Sequence, residues 1–282
     1  MSFKTILRLG RVSNLPTVWS NALAGAVLAA GLPTASWPIL AAAFALTLFY
    51  LGGMWLNDAF DAEIDRAERK ERPIPAEEIG RGTVFAVGWA LLAGGVAVGF
   101  LLGPSAGLAA AGVALAVTLY DWLHKKTPLS PLIMGTTRLL SYVLAALAVG
   151  HLPAVVLAAG AGLFAYVVGL TYAARREASN DLGGIWPLAA LAIPLVFAAA
   201  LAGGDPLALA LCGALLLTVV AAIWRLVRRG PGDVPRAVVT LIAGISLYDA
   251  ALIAAAGLPI LAFIAAMGFA LTLALQRLAP GT

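Results

Sequence analysis

The feature that most constrains this chain is a near-continuous series of apolar runs, each about as long as a bilayer is thick. Roughly twenty mainly apolar residues cross the ~30 Å hydrocarbon core as a helix. The runs Thr17–Leu32, Trp37–Leu56, Val84–Leu102, Ala106–Leu123, Leu132–Val149, Ala154–Tyr172, Ile185–Leu201, Leu207–Ile223, Ala237–Ala256 and Leu258–Leu275 approach that length. Lipid offers no partner to backbone N–H and C=O groups, so each run is predicted to be α-helical. The expected class is an all-α polytopic membrane protein with about 9–10 transmembrane helices, residues 1–282 forming one transmembrane domain. Only 11% of residues are charged and 62% are hydrophobic, against about a quarter charged in soluble domains, which excludes a water-soluble enzyme. Turns such as Leu32-Pro33 and Gly103-Pro104 join antiparallel neighbours. At Gly257-Leu258-Pro259 the alternative is one long kinked helix.

The charges sort to one side of this threading. Lys4, Arg8 and Arg11 precede the first span, Arg66, Arg69, Lys70, Arg72 and Arg81 follow the second, and Lys125 and Lys126 follow the fourth. Arg175 and Arg176 follow the sixth, Arg225, Arg228, Arg229 and Arg236 the eighth, and Arg277 the last. The opposite loops hold only His151 and Asp205 as titratable groups. The positive-inside bias then places both termini and the charged loops in the cytoplasm, of what is expected to be a bacterial inner membrane. It also explains the net charge of +4 without nucleic acid as a partner. Ala24-Gly25-Ala26 faintly resembles a cleavage site, but the spans that follow favour an uncleaved first helix. The single cysteine, Cys212, excludes an intrachain disulfide and is read as packing.

The chemistry concentrates in Asn57-Asp58-Ala59-Phe60-Asp61-Ala62-Glu63-Ile64-Asp65, where the second span reaches the charged side. On a helix, Asn57, Asp61 and Asp65 share a face beside Asp58, and like charges at that spacing repel. A divalent cation removes the repulsion. Mg2+ prefers oxygen ligands and commonly uses one or two carboxylates together with substrate phosphates. A solvated acidic turn paired with Arg66, Arg69 and Lys70 is the bland alternative. Glu177 and Asp181, again four apart, follow the sixth span on the same side, so two carboxylate clusters can face one central cavity open to the cytoplasm. Lys125 and Arg72 are candidate phosphate ligands, Lys125 and Lys126 serving equally well as membrane anchors. Arg72-Pro73-Ile74-Pro75 is predicted to be an extended crossing, because a residue before proline avoids the helical region. Arg138 lies about 10 Å inside the fifth span and Asp249 deep in the ninth, both costly in lipid unless functional or paired. His124 is read as an interfacial residue.

Asn57-Asp58-x-x-Asp61-x-x-x-Asp65 followed by Arg72-Pro73-Ile74-Pro75 resembles the first signature of the UbiA superfamily of intramembrane prenyltransferases. Glu177-x-x-x-Asp181 stands where that family has its second acidic motif, Tyr120 to Thr127 is similar to its Tyr…Leu-Lys-Arg-x-Thr loop, and Arg11 and Asn14 to its N-terminal Arg…Asn element. The sequence departs from the pattern in Glu177 for Asp, in Ala174 and Ser179 where neighbouring acids are common, and in one span beyond nine. The resemblance implies Mg2+-dependent transfer of a polyprenyl group from a polyprenyl diphosphate to an acceptor, a 4-hydroxybenzoate-type quinone precursor being favoured. It implies Mg2+ on Asn57, Asp61, Asp65, Glu177 and Asp181, with Asp58, Asp61, Asp65 and Lys125 as the catalytic set. Substrate contacts would come from Asn14, Asn57, Arg72, Tyr120, Lys125 and Arg138. Two other readings stay open: a secondary transporter using Asp249 and Arg138, and a scaffold of the same fold with a weakened second motif.

Overall fold

In the computed structural model, which describes residues 3–31, 36–175 and 186–277, the apolar runs are helices in the expected order. A short amphipathic helix, α1 (Phe3–Gly10), is followed by a 3-10 turn, Val12–Asn14. Then come α2 (Leu15–Ala30), α3 (Trp37–Glu68), α4 (Arg81–Leu102), α5 (Pro104–Leu123), α6 (Ser130–Ala148) and α7 (Ala154–Arg175). A 3-10 segment, Trp186–Ala192, leads into α8 (Ile193–Ala202), and α9 (Pro206–Arg228), α10 (Asp233–Ala255) and α11 (Pro259–Gln276) complete the described chain. Eight of these helices are long and apolar enough to cross a membrane. The 16-residue α2 and the broken 186–202 stretch occupy the other two expected positions.

Local signals set the ends. Proline stands in the first two positions of α2, α3, α5, α6, α8, α9 and α11, where its missing N–H costs nothing and its fixed φ suits a helix start. Asp205 caps α9 by accepting from the Ala208 N–H at 2.7 Å. Residues 256–258 separate α10 from α11, with Gly257 at φ 79°, so the kinked single helix is excluded. The Arg72-Pro73-Ile74-Pro75 segment is not extended. It folds into consecutive turns closed by Ala76 N–H to Arg72 O at 2.9 Å and Glu78 N–H to Pro73 O at 3.0 Å, since the fixed proline φ serves a turn as well as a strand.

Two large apolar cores fill most of the bundle, beside two smaller clusters. One joins α3, α4 and α5, and the other joins α7, α8, α9, α10 and α11. Helices α2 and α6 contribute to both, through Val18, Ala22, Val143 and Leu144 on one side and Ala24, Val27, Tyr142 and Ala146 on the other. This seam is tight. A Cβ on Gly25 would stand 2.8 Å from the Tyr142 carbonyl, so glycine is required for the approach. Large side chains such as Leu40, Phe44, Leu101, Leu217 and Phe263 remain exposed on the outside, an arrangement that suits a lipid surround and not water. Cys212 is buried among the packing residues.

Candidate active site

A cavity of about 570 Å³ opens between the two cores. Its charged rim comes from the end of α3, the end of α5 and the turn before α2. Helix α3 is 32 residues long, about 48 Å at 1.5 Å per residue, so its last turns outrun the hydrocarbon core and carry the acidic motif beyond it.

The parallel packing of α3 on α5 sets the chemistry. Gly53 lies against Val117, where a Cβ would come within 2.8 Å of Cγ1. One turn on, Asn57 Nδ2 donates to Asp121 Oδ1 at 3.4 Å. Another turn on, Lys125 Nζ reaches Asp61 Oδ2 at 3.2 Å. All three pairs share one sequence offset, 64, so each turn of the two helices adds a facing polar pair. His124 Nε2 also approaches Asp61 Oδ2, at 3.3 Å, while its ring stacks on Tyr120 with centroids 5.2 Å apart.

The other acidic residues of the motif hold the arginines. Asp58 accepts from Arg11 Nη2 at 2.9 Å and Arg72 Nη1 at 3.3 Å, and Asp65 accepts from Arg72 Nη1 at 2.8 Å. Burial lowers the Arg11 pKa, but the charge and hydrogen bond of Asp58 together with nearby Tyr50 and Tyr120 raise it, and the net shift is upward, so this guanidinium stays charged. Asn57, Asp61, Arg72, Tyr120, Lys125, Arg138 and Asn14 line the cavity. Asp58 and Asp65 stand behind that lining, 5% and 2% exposed. Asn14 Oδ1 accepts from Gln276 Nε2 at 2.6 Å, tying the end of α11 to the rim. Glu177 and Asp181 lie outside the described residues.

Deeper in the wall, Arg138 Nη1 donates to Asn21 Oδ1 at 2.7 Å. Asp249, which is fully buried, accepts from Ser20 Oγ, Asn21 Nδ2 and Tyr142 Oη at 2.5, 2.8 and 2.5 Å. The two intramembrane charges thus share one polar network at the α2, α6 and α10 contact. Below the rim the wall is apolar, with Val18, Leu46, Phe49, Val113, Leu170, Ile242 and Ile245.

Three residues beyond the predicted set stand in the site. Arg11 pairs with Asp58, His124 points inward to Asp61 rather than serving the interface, and Asp121 presents Oδ2 with no hydrogen-bond partner at 3% exposure. The sequence signal for the last two was their placement with Val117 and Tyr120 on one helical face. The donor set suits Mg2+: hard amide and carboxylate oxygens from Asn57 and Asp61 reach the cavity, and the unpartnered Asp121 Oδ2 is a buried carboxyl oxygen that a cation would satisfy. Among the described residues no three His, Cys, Asp or Glu side chains cluster as a metal cage. Mg2+ bound through substrate phosphates does not require one.

Residues 18–230 match the UbiA prenyltransferase family. The chain belongs to that family. It is 38% identical over 101 residues to the digeranylgeranylglyceryl phosphate synthase of Methanoculleus marisnigri, covering 36% of each chain. It is 36% identical over 126 residues to that of Ignicoccus hospitalis, covering 45% of this chain and 41% of the relative. These matches span less than half the length of either relative. Among solved structures, one of a digeranylgeranylglyceryl phosphate synthase in membranes superposes with TM-score 0.66 at 20% identity, over 90% of this chain and 98% of that one. A UbiA homolog from Archaeoglobus fulgidus bound to GPP and Mg2+ gives 0.57 at 13%, over 97% and 99%. At these identities the likeness is one of fold. The chain is an integral membrane protein of the UbiA fold, and both relatives by sequence are archaeal and carry a name other than 4-hydroxybenzoate prenyltransferase.

Proposed function

We propose that this protein transfers a polyprenyl group from a polyprenyl diphosphate to a small acceptor inside the membrane, with Mg2+ as cofactor. The observation that carries the reading is the interleaving of opposite charges at the cavity rim. Asp61 is held by Lys125 and His124, and Asp58 and Asp65 by Arg11 and Arg72. A magnesium diphosphate supplies a cation for the carboxylates and an anion for the bases, so it can replace both halves of such a rim together. A transporter is disfavoured because the intramembrane pair Asp249 and Arg138 is tied into a helix-packing network.

In this account Asn57 and Asp61, with Glu177 and Asp181 from the second motif, hold the metal, and Asp121 adds a buried carboxylate beside Asn57. Bound Mg2+ would neutralise the charge that builds on the diphosphate as the allylic C–O bond breaks. Lys125 and Arg72 supply fixed positive charge to the same leaving group, which is where stabilisation lowers the barrier. Asp58 and Asp65 position Arg11 and Arg72 for that task. The apolar wall takes the prenyl chain and keeps water from the developing carbocation. The positive-inside bias supports a charged rim that faces the cytoplasm.

Two acceptor classes remain in play. The sequence reading favours a 4-hydroxybenzoate-type quinone precursor, and the names of the relatives favour a prenylated glycerol phosphate. The test is to incubate the purified protein with geranylgeranyl diphosphate, Mg2+ and both acceptors, and to look for prenylated product by mass spectrometry. Product from one of them is expected. A folded protein that releases no diphosphate and forms no product with any acceptor counts against the enzyme and favours a scaffold.

A further inference from the structure

At the rim, Arg11, Arg72 and Lys125 each meet a carboxylate. Arg138 does not. Among the described residues its guanidinium makes one hydrogen bond, the 2.7 Å contact with Asn21 Oδ1. A guanidinium has five N–H donors, and a charge inside a bilayer without a direct counter-ion is costly. Asp249 lies behind Arg138 but is turned away from it, its two oxygens filled by Ser20, Asn21 and Tyr142. Asn21 accepts from Arg138 and donates to Asp249, so the amide fixes the guanidinium without neutralising it by contact. The hydroxyls nearest along α6 donate to their own helix, Thr137 to Met134 O at 2.7 Å and Ser141 to Thr137 O at 2.9 Å, and neither accepts from Arg138.

The position of this unpaired fork is informative. The Gly25–Tyr142 approach sets α2 level with α6, and the same offset puts Asn21 level with Arg138. Trp19 Nε1 donates to Thr47 Oγ1 at 3.0 Å, which sets α2 level with α3. Asn21 and Arg138 are therefore level with the stretch of α3 between Ala45 and Tyr50, about 16–24 Å along the axis from Asp61. One diphosphate does not bridge that distance. Asp61 and Arg138 both line the same cavity.

We propose that Arg138 binds an oxyanion carried by the prenyl acceptor, a carboxylate or a phosphate, at the end of the cavity away from the diphosphate. The proposal rests on the prenyl-transfer reading for the word acceptor, and on the unpaired guanidinium for the anion. The planar fork suits either group through paired N–H bonds.

The test is direct binding to the purified full-length protein of two matched pairs: 4-hydroxybenzoate with its methyl ester, and a prenylated glycerol phosphate with its dephosphorylated form. The wild type is expected to bind one anion about tenfold or more tightly than its neutral counterpart, near 1.4 kcal/mol per tenfold step. The pair that shows the preference tells carboxylate from phosphate. Arg138→Gln is expected to bring that ratio close to one while Mg2+-dependent binding of geranylgeranyl diphosphate persists. Arg138→Lys keeps a cation near Asp249, so it remains informative if the glutamine variant does not fold, and is expected to retain only part of the preference. The proposal is overturned by equal binding of anion and neutral form to the wild type, or by a preference that survives Arg138→Gln. It is overturned equally if donor binding falls in step with acceptor binding, which would make Arg138 a diphosphate ligand. A wild type that shows the Arg138-dependent preference but binds no prenyl diphosphate counts against prenyl transfer and leaves the anion site standing.

Discussion

At the scale of single residues, Asp121 is the most exacting feature of the site. Its Oδ2 is buried without a hydrogen-bond partner, and Oδ1 has only a long contact with Asn57. An unsatisfied buried polar atom costs about 1–3 kcal/mol, more when charged. We expect Asp121→Asn to stabilise the metal-free protein by about 1–2 kcal/mol, seen as a higher Tm in detergent. The same variant should need about tenfold more Mg2+ for half-maximal donor binding. A lower Tm with an unchanged Mg2+ requirement would make Asp121 a packing residue. The sequence already displayed Asn57, Asp61 and Asp65 as one helical face, because an i, i+4 carboxylate row needs only local geometry. It put Asp121 and His124 on one helical face with Val117 and Tyr120 but did not display their place in the site, because their partners stand 64 and 63 residues away.

At the scale of elements, parallel registers do the positioning. The α3–α5 register stacks Gly53–Val117, Asn57–Asp121 and Asp61–Lys125, and the α2–α6 register stacks Gly25–Tyr142 under Asn21–Arg138. Each ladder has a glycine one turn below its polar rung, so the close approach of the backbones sets how near the polar groups come. Gly25→Val would drive side-chain atoms into the Tyr142 carbonyl. We expect a loss of about 2 kcal/mol of stability from overpacking, together with a weakened anion site at Arg138 and intact donor binding. Unchanged stability would mean that α2 and α6 are not held in this register. The helices themselves were legible in the sequence, since each apolar run has a proline start or a polar end. The interruption before α8 was not, because Trp186–Ala192 is as apolar as a helix yet adopts the tighter 3-10 turn. Nor was the folding of the Pro73–Pro75 segment, where turn and extended chain share the same proline φ and the backbone bonds to Ala76 and Glu78 decide.

At the scale of the whole molecule, the cavity lies where the two apolar cores meet, and the seam helices α2 and α6 belong to both. In the proposed reading this division gives a charged rim from α3 and α5 to a diphosphate, an apolar wall to its chain, and Arg138, deeper in the cavity, to an acceptor. The bundle and its span order follow from hydropathy and charge alone. The convergence of rim, wall and deep arginine on one cavity does not, since it depends on contacts between helices far apart in sequence. The most direct measurement of the central claim is the binding of geranylgeranyl diphosphate to the purified protein with Mg2+ and with chelator. The wild type is expected to bind only with Mg2+, and Asp61→Ala to weaken that binding by about a hundredfold, near 2.7 kcal/mol. Binding that is indifferent to both Mg2+ and Asp61 would contradict a magnesium-diphosphate site at this rim.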